Sequence, residues 1–380
     1  MLMSFDTNLK IGVLGGGQLG RMLVQSAINI NIDLKMMDLD PNAPCAKLVS
    51  DFTVGDLEDF KAVYEFGKGC DVLTIEIEKV NIEAMKKLQS EGVKVFPQPE
   101  IIEMIQDKRV QKQFYEDHNI PTAPFTLTDS RAALEKLSAK FPAVHKIGKG
   151  GYDGRGVQVI KSKDDIFKGF DAPSLLEEFV PFKKELAVIV SRNEAGEVNT
   201  FPVVEMVFHP EHNLVEYLLS PAIIDKVEEE KAKKIAVDII QKLEMVGILA
   251  VEMFLTKDNE ILVNEIAPRP HNSGHQSIEG NFVSQYDQHL RAILNLPLGD
   301  TSTKISSAMV NILGEDGFTG DAKYEGMEEV MKISGASVHL YGKKLTKPFR
   351  KMGHVTITDP SLTSLKRKIE IVKSTLKVKA

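Results

Sequence analysis

The 380-residue sequence has no tryptophan, only two cysteines and no apolar run long enough to span a membrane. Cys45 and Cys70 have no CxxC spacing and no histidine beside them, which argues against a disulfide framework and a zinc site. We expect both to be buried thiols in a reducing cytosol. The N-terminal stretch MLMSFDTNLK lacks the basic start and the apolar stretch of a signal peptide, so we predict a cytoplasmic protein without a membrane partner.

The sequence also lacks an excess of basic residues. It has 47 Lys and Arg against 54 Asp and Glu, for a formal net charge of −7. Neutralising a nucleic-acid backbone needs surplus cations, so we predict no nucleic-acid partner, although local basic pockets for small phosphates are compatible with this balance. The length suits two or three domains, and 43% hydrophobic with 27% charged residues is typical of a globular protein.

A glycine-rich turn is the first feature that is present, in LKIGVLGGGQLGRMLVQSA. Gly15, Gly17 and Gly20 have the GxGxxG spacing of a strand that turns into a helix whose free N–H groups face an anion. Asp38 follows at a distance suited to a ribose ligand. This stretch alone leaves three hypotheses open: a dinucleotide site, a site for another phosphate, and a purely structural turn.

The hydrophobic pattern predicts a βαβ series over the first hundred residues, and hence a mostly parallel sheet. We predict strands at 10–14, 34–38, 52–54, 71–77 and 94–96, with helices at 18–30, 57–66 and 82–90. Prolines in FPQPE, at 96–100, end this unit. Beyond it we predict helices at 101–118, 131–140 and 225–246, with strands in PAVHKIGKGGYDGRGVQVIKS, SLLEEF, ELAVIVS, TFPVVEMVF, GILAVEMFL and EILVNEIA. A smaller unit of short strands follows Pro297.

The segment KGGYDGRG, residues 149–156, contains four glycines together with Lys, Tyr, Asp and Arg. A loop whose backbone N–H groups fold over a phosphate chain needs glycines for close approach and cations to offset charge. A structural hairpin connection would explain the glycines but not the intervening polar residues, so we favour the phosphate loop. Lys146, on the preceding strand, is positioned to reach the same phosphates.

Two glutamates lie on the strands AVEMFL and VNEIA, which the turn TKDN joins into a hairpin. Glu252 and Glu265 are therefore expected to converge on one point, as carboxylates that hold Mg²⁺ beside phosphate oxygens do. Either glutamate on an exposed strand would be the structural alternative, but apolar neighbours make unpaired burial costly and favour a metal. The following loop, PRPHNSGH, concentrates polar residues in a way that suits an anionic substrate. SLLEEFVPFKKE is a weaker candidate for adenine and ribose contacts.

The order of GGGQLGRM, GGYDGRG, LEEFV, NEIAPRPHNSGH and FRKMGHV resembles the ATP-grasp superfamily, and within it the 5-(carboxyamino)imidazole ribonucleotide synthase family, over nearly the whole chain. The resemblance implies an α/β protein, α+β overall, with an ATP-grasp fold, an N-terminal Rossmann-like parallel-sheet domain and a small C-terminal β-rich domain. It implies domains at 1–104, 105–297, with a lid subdomain at about 123–180, and 298–380. The glycine turn would then contribute to an aminoimidazole ribonucleotide site and would not bind NAD.

The resemblance also implies site residues. ATP would contact Lys108, Lys146, Gly151, Tyr152, Asp153, Gly154, Arg155, Gly156, Val157, Glu177, Glu178, Phe179, Val180, Glu185, Phe208, Asn264 and Glu265. Magnesium would be held by Glu252 and Glu265. The ribonucleotide and bicarbonate would contact Gln18, Glu76, Tyr152, Arg155, His271, Ser273, Arg350 and Lys351, with Asp153, Arg269 and Lys351 as catalytic residues. Many relatives have Arg at position 108, so Arg109 is an alternative contact, and Phe208 with His209 replaces a nucleotide-contacting histidine.

The implied reaction is the ATP-dependent carboxylation of aminoimidazole ribonucleotide by bicarbonate, through carboxyphosphate, in purine biosynthesis. The implied assembly is a homodimer. Formate-dependent glycinamide ribonucleotide transformylase is the alternative within the superfamily, but GYDGRG and HNSGH favour the carboxylase. A nucleotide-binding regulator without turnover ranks lower because both glutamates are present, and an NAD dehydrogenase lacks a downstream hydride-transfer site.

Overall fold

The computed structural model describes residues 5–151, 156–209 and 214–380. Tyr152, Asp153, Gly154 and Arg155, which the sequence nominates for the phosphate loop, lie outside the described residues. Within those three ranges, no helix has both the length and the apolar character required to cross a membrane. Cys45 and Cys70 are free thiols, and both are buried as predicted.

The N-terminal unit is a five-stranded parallel sheet in the order β3-β2-β1-β4-β5, which confirms the predicted βαβ series. Its elements are β1 (Ile11–Leu14), α1 (Gln18–Asn29), β2 (Leu34–Asp38), β3 (Asp51–Val54), α2 (Phe60–Gly67), β4 (Val72–Ile75), α3 (Ile82–Ser90) and β5 (Lys94–Val95). Helix α2 begins three residues later than predicted because the Asp59 side chain accepts a hydrogen bond from the Ala62 N–H and caps it.

The single helix predicted at 101–118 is wrong, because two helices occupy this region: α4 (Pro99–Ile105) and α5 (Lys108–Asp117). Asp107 is extended and its carboxylate accepts from the Arg109 N–H, which starts a new helix. The Lys108 N–H donates to the Gly148 carbonyl oxygen at 2.8 Å. This break places the first turn of α5 beside the strand that precedes the glycine-rich loop.

A small antiparallel sheet follows, in the order β6-β9-β7-β8. It consists of β6 (Phe125–Thr128), α6 (Ala133–Lys136), β7 (Ala143–Ile147), β8 (Val157–Ile160) and β9 (Ser174–Glu178). The two strands predicted on either side of the glycine-rich loop are β7 and β8, and Lys146 lies opposite Val157. The predicted helix at 131–140 is reduced to α6 and a 3-10 turn at Ser138–Lys140.

A nine-stranded sheet forms the centre of the molecule, in the order β15-β14-β10-β12-β13-β16-β21-β19, with β11 beside β10. Its first elements are β10 (Phe182–Arg192), β11 (Val198–Thr200), β12 (Val204–Phe208), β13 (Val215–Ser220), α7 (Lys226–Lys242), β14 (Gly247–Thr256) and β15 (Ile261–Ala267). Helix α7 packs its apolar side on the buried faces of β10 and β14. It ends before the predicted residue 246, because Glu244 has a left-handed φ of 48°.

The C-terminal residues extend this central sheet. They form α8 (Ser277–Gly280), α9 (Gln285–Ile293), β16 (Ser307–Leu313), β17 (Gly320–Asp321), β18 (Lys323–Glu325), α10 (Met327–Met331), β19 (Ala336–Leu340), β20 (Leu345–Thr346), β21 (Lys351–Thr358), α11 (Leu362–Thr375) and β22 (Lys377–Lys379). Strand β16 pairs with β13, so hydrogen bonding continues across the predicted boundary at 297. The division into three domains stays a prediction.

Candidate active site

The hairpin of β14 and β15 brings two carboxylates together. Glu252 lies directly opposite Glu265, as the turn TKDN predicts, and the pairing shifts register immediately afterwards. Burial, and then the charge of Glu265, raise the pKa of Glu252 to about 8. The charge of Lys108 lowers the pKa of Glu265 to about 2, against the effect of burial. In this hairpin Glu265 therefore has a lysine partner, while Glu252 has no lysine or arginine partner among the described ion pairs.

The cation beside Glu265 is Lys108, in the first turn of α5, whose ammonium forms an ion pair with that carboxylate. Burial opposes the charged form of Lys108, but the negative charge of Glu265 outweighs it and raises the pKa of Lys108. Arg109, the alternative contact, instead pairs with Asp107 at 2.6 Å. The structure thus directs Lys108, and not its neighbour, into the carboxylate pair.

A buried network joins α5, β7 and β9. Lys146 lies 2.8 Å from one oxygen of Glu177, and Lys112 lies 3.0 Å from the other. Lys146 also donates to Asn264 Oδ1 at 2.7 Å. Burial favours protonation of Glu177, but the two lysine charges outweigh it and hold its pKa below the usual value. The Glu177 carboxylate therefore binds two lysines, whereas the sequence resemblance placed Glu177 among the ATP contacts.

The segment after β9 connects the small sheet to the central one. Glu178 and Phe179 are exposed, and Val180 accepts a backbone hydrogen bond from Phe182. Glu185, near the start of β10, has a pKa that burial raises to about 7, with Lys146 acting in the opposite direction. Glu185 thus lies within electrostatic reach of the same lysine that contacts Glu177. The segment therefore places two exposed residues between the small sheet and the central sheet.

The described ends of the glycine-rich loop are Gly151, Gly156 and Val157. Gly156 has a φ of 80° and accepts from the Ile147 N–H, which closes the base of the loop. Phe208, at the end of β12, packs against a separate apolar cluster that includes Met206 and Leu218. Phe208 is therefore built into the sheet rather than into the lysine network.

The N-terminal glycine turn is occupied by the chain's own carboxylates. Asp38 accepts from the Gly16 N–H at 2.8 Å, and Glu76 accepts from the Gly20 N–H at 3.0 Å. A Cβ at Gly17 would lie 2.3 Å from Glu76 Oε1. Burial raises the pKa of Glu76 to about 7, although hydrogen bonds from the turn act against it. Asp38, which would bind the ribose in a dinucleotide site, therefore accepts a hydrogen bond from the glycine turn itself.

The loop after β15 connects the carboxylate pair to the N-terminal unit. Arg269 lies 2.9 Å from Glu78, two residues beyond Glu76, and donates to the Pro270 carbonyl oxygen. The His271 ring lies 3.5 Å from Glu252 and 2.9 Å from the hydroxyl of the buried Ser273. Arg269 and His271 therefore extend from one loop toward two different parts of the candidate site.

The C-terminal strands supply further cations. Lys343 donates to Gln18 Oε1 and to the Lys351 carbonyl oxygen, both at 2.7 Å. The charge of Lys351 acts against the raised pKa of Glu252, so the Lys351 ammonium lies within electrostatic reach of the carboxylate pair. Arg350 donates to the Leu345 carbonyl oxygen within its own loop. The structure therefore brings Gln18 and Lys351 to the site from opposite ends of the chain.

Several residues at the site were missed by sequence reasoning. Lys112 follows Lys108 by one helical turn, a spacing that could have revealed it. Glu78 and Lys343 contact their partners only through the tertiary fold. Asn272 is buried, and neither polar atom of its side chain has a hydrogen-bond partner among the described residues. The sequence did predict the polar loop PRPHNSGH that contains Asn272, but not the unpartnered state of this side chain.

Comparisons with known proteins agree with this architecture. Residues 8–106 match the ribonucleotide synthetase preATP-grasp domain, residues 113–286 the ATP-grasp domain, and residues 307–368 the phosphoribosylaminoimidazole carboxylase C-terminal domain. The chain is 40% identical over 373 residues, or 95% of its length, to the chloroplastic phosphoribosylaminoimidazole carboxylase of Vigna aconitifolia, of which it spans 66%.

Solved structures match over almost their whole length. The crystal structure of N5-carboxyaminoimidazole ribonucleotide synthetase from Thermotoga maritima has a TM-score of 0.91 at 42% identity, covering 98% of this chain and 99% of that one. N5-carboxyaminoimidazole synthase from Aspergillus clavatus, in complex with ADP and 5-aminoimidazole ribonucleotide, has a TM-score of 0.89 at 35% identity, covering 97% and 98%.

Proposed function

This chain belongs to the N5-carboxyaminoimidazole ribonucleotide synthase family of ATP-grasp proteins, and from that membership and its site we infer its reaction. It is an ATP-dependent carbon–nitrogen ligase of purine biosynthesis. It carboxylates 5-aminoimidazole ribonucleotide with bicarbonate to N5-carboxyaminoimidazole ribonucleotide and releases ADP and phosphate. The ADP and 5-aminoimidazole ribonucleotide in the Aspergillus structure support both substrates.

One observation carries this proposal: the loop after β15 joins two half-sites. It begins at the carboxylate pair, where His271 lies 3.5 Å from Glu252. It also reaches the N-terminal unit, where Arg269 lies 2.9 Å from Glu78. A phosphoryl donor at the first half-site and a ribonucleotide at the second would therefore share the loop's cationic residues, as coupling of the two half-reactions requires.

We assign the first half-site to ATP. Lys108 and Lys146 would offset the phosphate charge, the loop Gly151–Val157 would cover the phosphates, and Glu185 would bind the ribose. We assign the segment Glu178–Val180 to the adenine, because Glu178 and Phe179 are exposed between the two sheets. We assign Glu177 to holding Lys146, since its two oxygens already bind Lys146 and Lys112.

The carboxylate pair fits a magnesium ion. Glu252 and Glu265 are neighbouring hard oxygen donors, and burial followed by the negative charge of Glu265 raises the pKa of Glu252, an effect that a bound cation would oppose. No cluster of three or more potential protein ligands occurs among the described residues, so ATP phosphate oxygens would complete the coordination. Bound there, magnesium would supply charge neutralisation at the transferring phosphoryl group.

The chemistry follows from what bicarbonate requires. A bicarbonate oxygen attacks the γ-phosphorus, the bond to the β-phosphate oxygen breaks, and ADP leaves with carboxyphosphate as the product. The exocyclic amine then attacks the carboxyl carbon, phosphate leaves, and the amine proton passes to Asp153. Arg269 and Lys351 would hold the carboxyphosphate anion, and a closed loop would exclude the water that destroys it.

The test measures ADP together with trapped carbamate product for each acceptor and one-carbon donor. We expect rapid turnover only with aminoimidazole ribonucleotide and bicarbonate. Glycinamide ribonucleotide with formate should give background ADP. Turnover with formate and none with bicarbonate would refute the proposal and favour the transformylase. We also propose a cytoplasmic location, which suits the two free thiols, and a homodimeric assembly.

A further inference from the structure

A column of stacked histidines joins the loop after β15 to the C-terminal strands. The ring centroids of His275 and His354 are 4.7 Å apart, and those of His354 and His339 are 4.5 Å apart with the planes within 13° of parallel. His339 and His354 lie directly opposite each other on β19 and β21. At its outer end, His339 Nε2 lies 2.7 Å from Glu279 Oε1. We call these three residues the histidine column.

Tyrosines fix the two inner rings. Tyr341 OH lies 3.0 Å from His354 Nδ1, and Tyr286 OH lies 2.9 Å from His275 Nδ1. All four side chains are almost wholly buried. Since α9 supplies Tyr286 while β19 leads into Tyr341, the column is held on both sides by different parts of the chain.

The inner rings are polar groups in a dry environment. His275 and His354 are both 0% exposed, and the Nε2 of each has no partner among the described residues. Burial keeps the pKa of both rings well below the usual value, so both are neutral. A buried polar nitrogen without a hydrogen-bond partner is unfavourable, and a hydrocarbon side chain would avoid that cost. What the rings add is a rigid stacked arrangement.

The elements joined by the column carry the cations of the proposed carboxylation step. Lys351 lies on β21, three residues before His354. Arg269 lies on the loop that ends at His275. The charges of Lys351 and Arg269 both help to lower the pKa of His275, so both cations lie within electrostatic reach of that ring.

We propose that His354 and His275 are positioning residues, which hold the strand carrying Lys351 against the loop carrying Arg269. This inference rests on the proposed function. Phosphoryl transfer depends on Lys146 and the carboxylate pair, which the column does not touch. Trapping of carboxyphosphate depends on cations from both joined elements. If the elements shift, carboxyphosphate decays to carbon dioxide and phosphate before the amine attacks, and ADP forms without product.

The test compares two substitutions in the full chain. His354→Phe keeps a stacking ring, and His354→Leu removes it. The readouts are ADP formed per carboxylated product and the KM for ATP. We expect at most about a twofold change in that ratio for His354→Phe, because ring stacking persists. For His354→Leu we expect a rise of about fivefold or more, with the KM for ATP within about twofold, because misplacement affects the trapping step.

His118→Ala, which removes a ring at the exposed end of α5, is the control and should leave the ratio unchanged. Equal ratios in the Phe and Leu variants, or a Leu variant that loses ADP and product in proportion, would overturn the inference. If His354→Leu does not fold, the same ratio of ADP to carboxylated product is measured for His339→Ala, at the more accessible end of the column. An unchanged ratio in that variant would refute the positioning role. A wild-type chain that forms no product from bicarbonate would instead refute the proposed function.

Discussion

Replacing Lys112 by Met tests whether burial lowers the pKa of this lysine in the folded chain. Lys112 is 2% exposed, and its ammonium lies 3.0 Å from Glu177 Oε1 while also donating to Thr122. Burial, opposed by Glu177 and assisted by Lys146, lowers its pKa from 10.5 to about 8. Methionine keeps most of the aliphatic stem and removes the ammonium together with its contacts to Glu177 and Thr122.

The sign of the effect follows from proton binding. Between pH 8 and 10.5 the unfolded chain keeps its proton on Lys112 while the folded chain loses it, so the free energy of unfolding rises with pH. At about 1.4 kcal/mol for each pH unit, the full difference is about 3 kcal/mol, and about 2 kcal/mol of it falls between pH 7.5 and 9.5. Lys112→Met cannot show this gain.

The measurement is urea unfolding of both proteins at pH 7.5 and 9.5, followed by the helical circular dichroism signal because the chain has no tryptophan. The stability difference between wild type and Lys112→Met should move by about 2 kcal/mol in favour of wild type at the higher pH. Lys234→Met, at an exposed lysine paired with Asp238, is the matched control and should show no such movement. A pH-independent difference for Lys112→Met would refute the lowered pKa of Lys112.

Three further predictions concern the site directly. Glu265→Gln should fold normally yet reduce ATP turnover at least about a hundredfold, since a neutral amide neither offsets nor binds a cation as a carboxylate does; near-normal turnover would contradict the metal assignment. Gly17→Ala should weaken ribonucleotide binding in calorimetry, because its Cβ would collide with Glu76, and NAD should show no saturable binding to the wild type; micromolar NAD affinity would restore a dinucleotide site. Lys351→Ala should retain ATP affinity and lose carboxylation, and unchanged product formation would reduce its strand to a structural edge.

Local patterns predicted much of the fold because they encode local physics. Alternating apolar strands and amphipathic helices predicted the parallel sheet β1–β5, and the turn TKDN predicted the hairpin that pairs Glu252 with Glu265. Errors arose where one side chain decides a boundary. Asp107 starts a second helix within a continuous helical pattern, because its carboxylate caps α5.

The site was predictable as a set of segments but not as a set of contacts. GGYDGRG, NEIAPRPHNSGH and FRKMGHV identified the participating segments. The partners of Arg269 and Gln18, which are Glu78 and Lys343, come from segments far away in sequence, so no spacing rule indicates them. Lys112 is a different case. Its separation of one helical turn from Lys108 can be seen in the sequence, but its burial cannot.

The ion pairs also explain why the proposed ATP and metal sites should fill together. Lys108 is paired with Glu265 in this structure, and Lys146 with Glu177 and Asn264. A phosphate that takes Lys108 would remove the counter-ion of Glu265, whose side chain is 40% exposed, so solvent would screen part of the lost attraction. A divalent cation at the carboxylate pair would restore the compensation that remains missing. Phosphate binding at Lys108 and cation binding at Glu265 are therefore coupled in the same direction, each lowering the free energy required for the other.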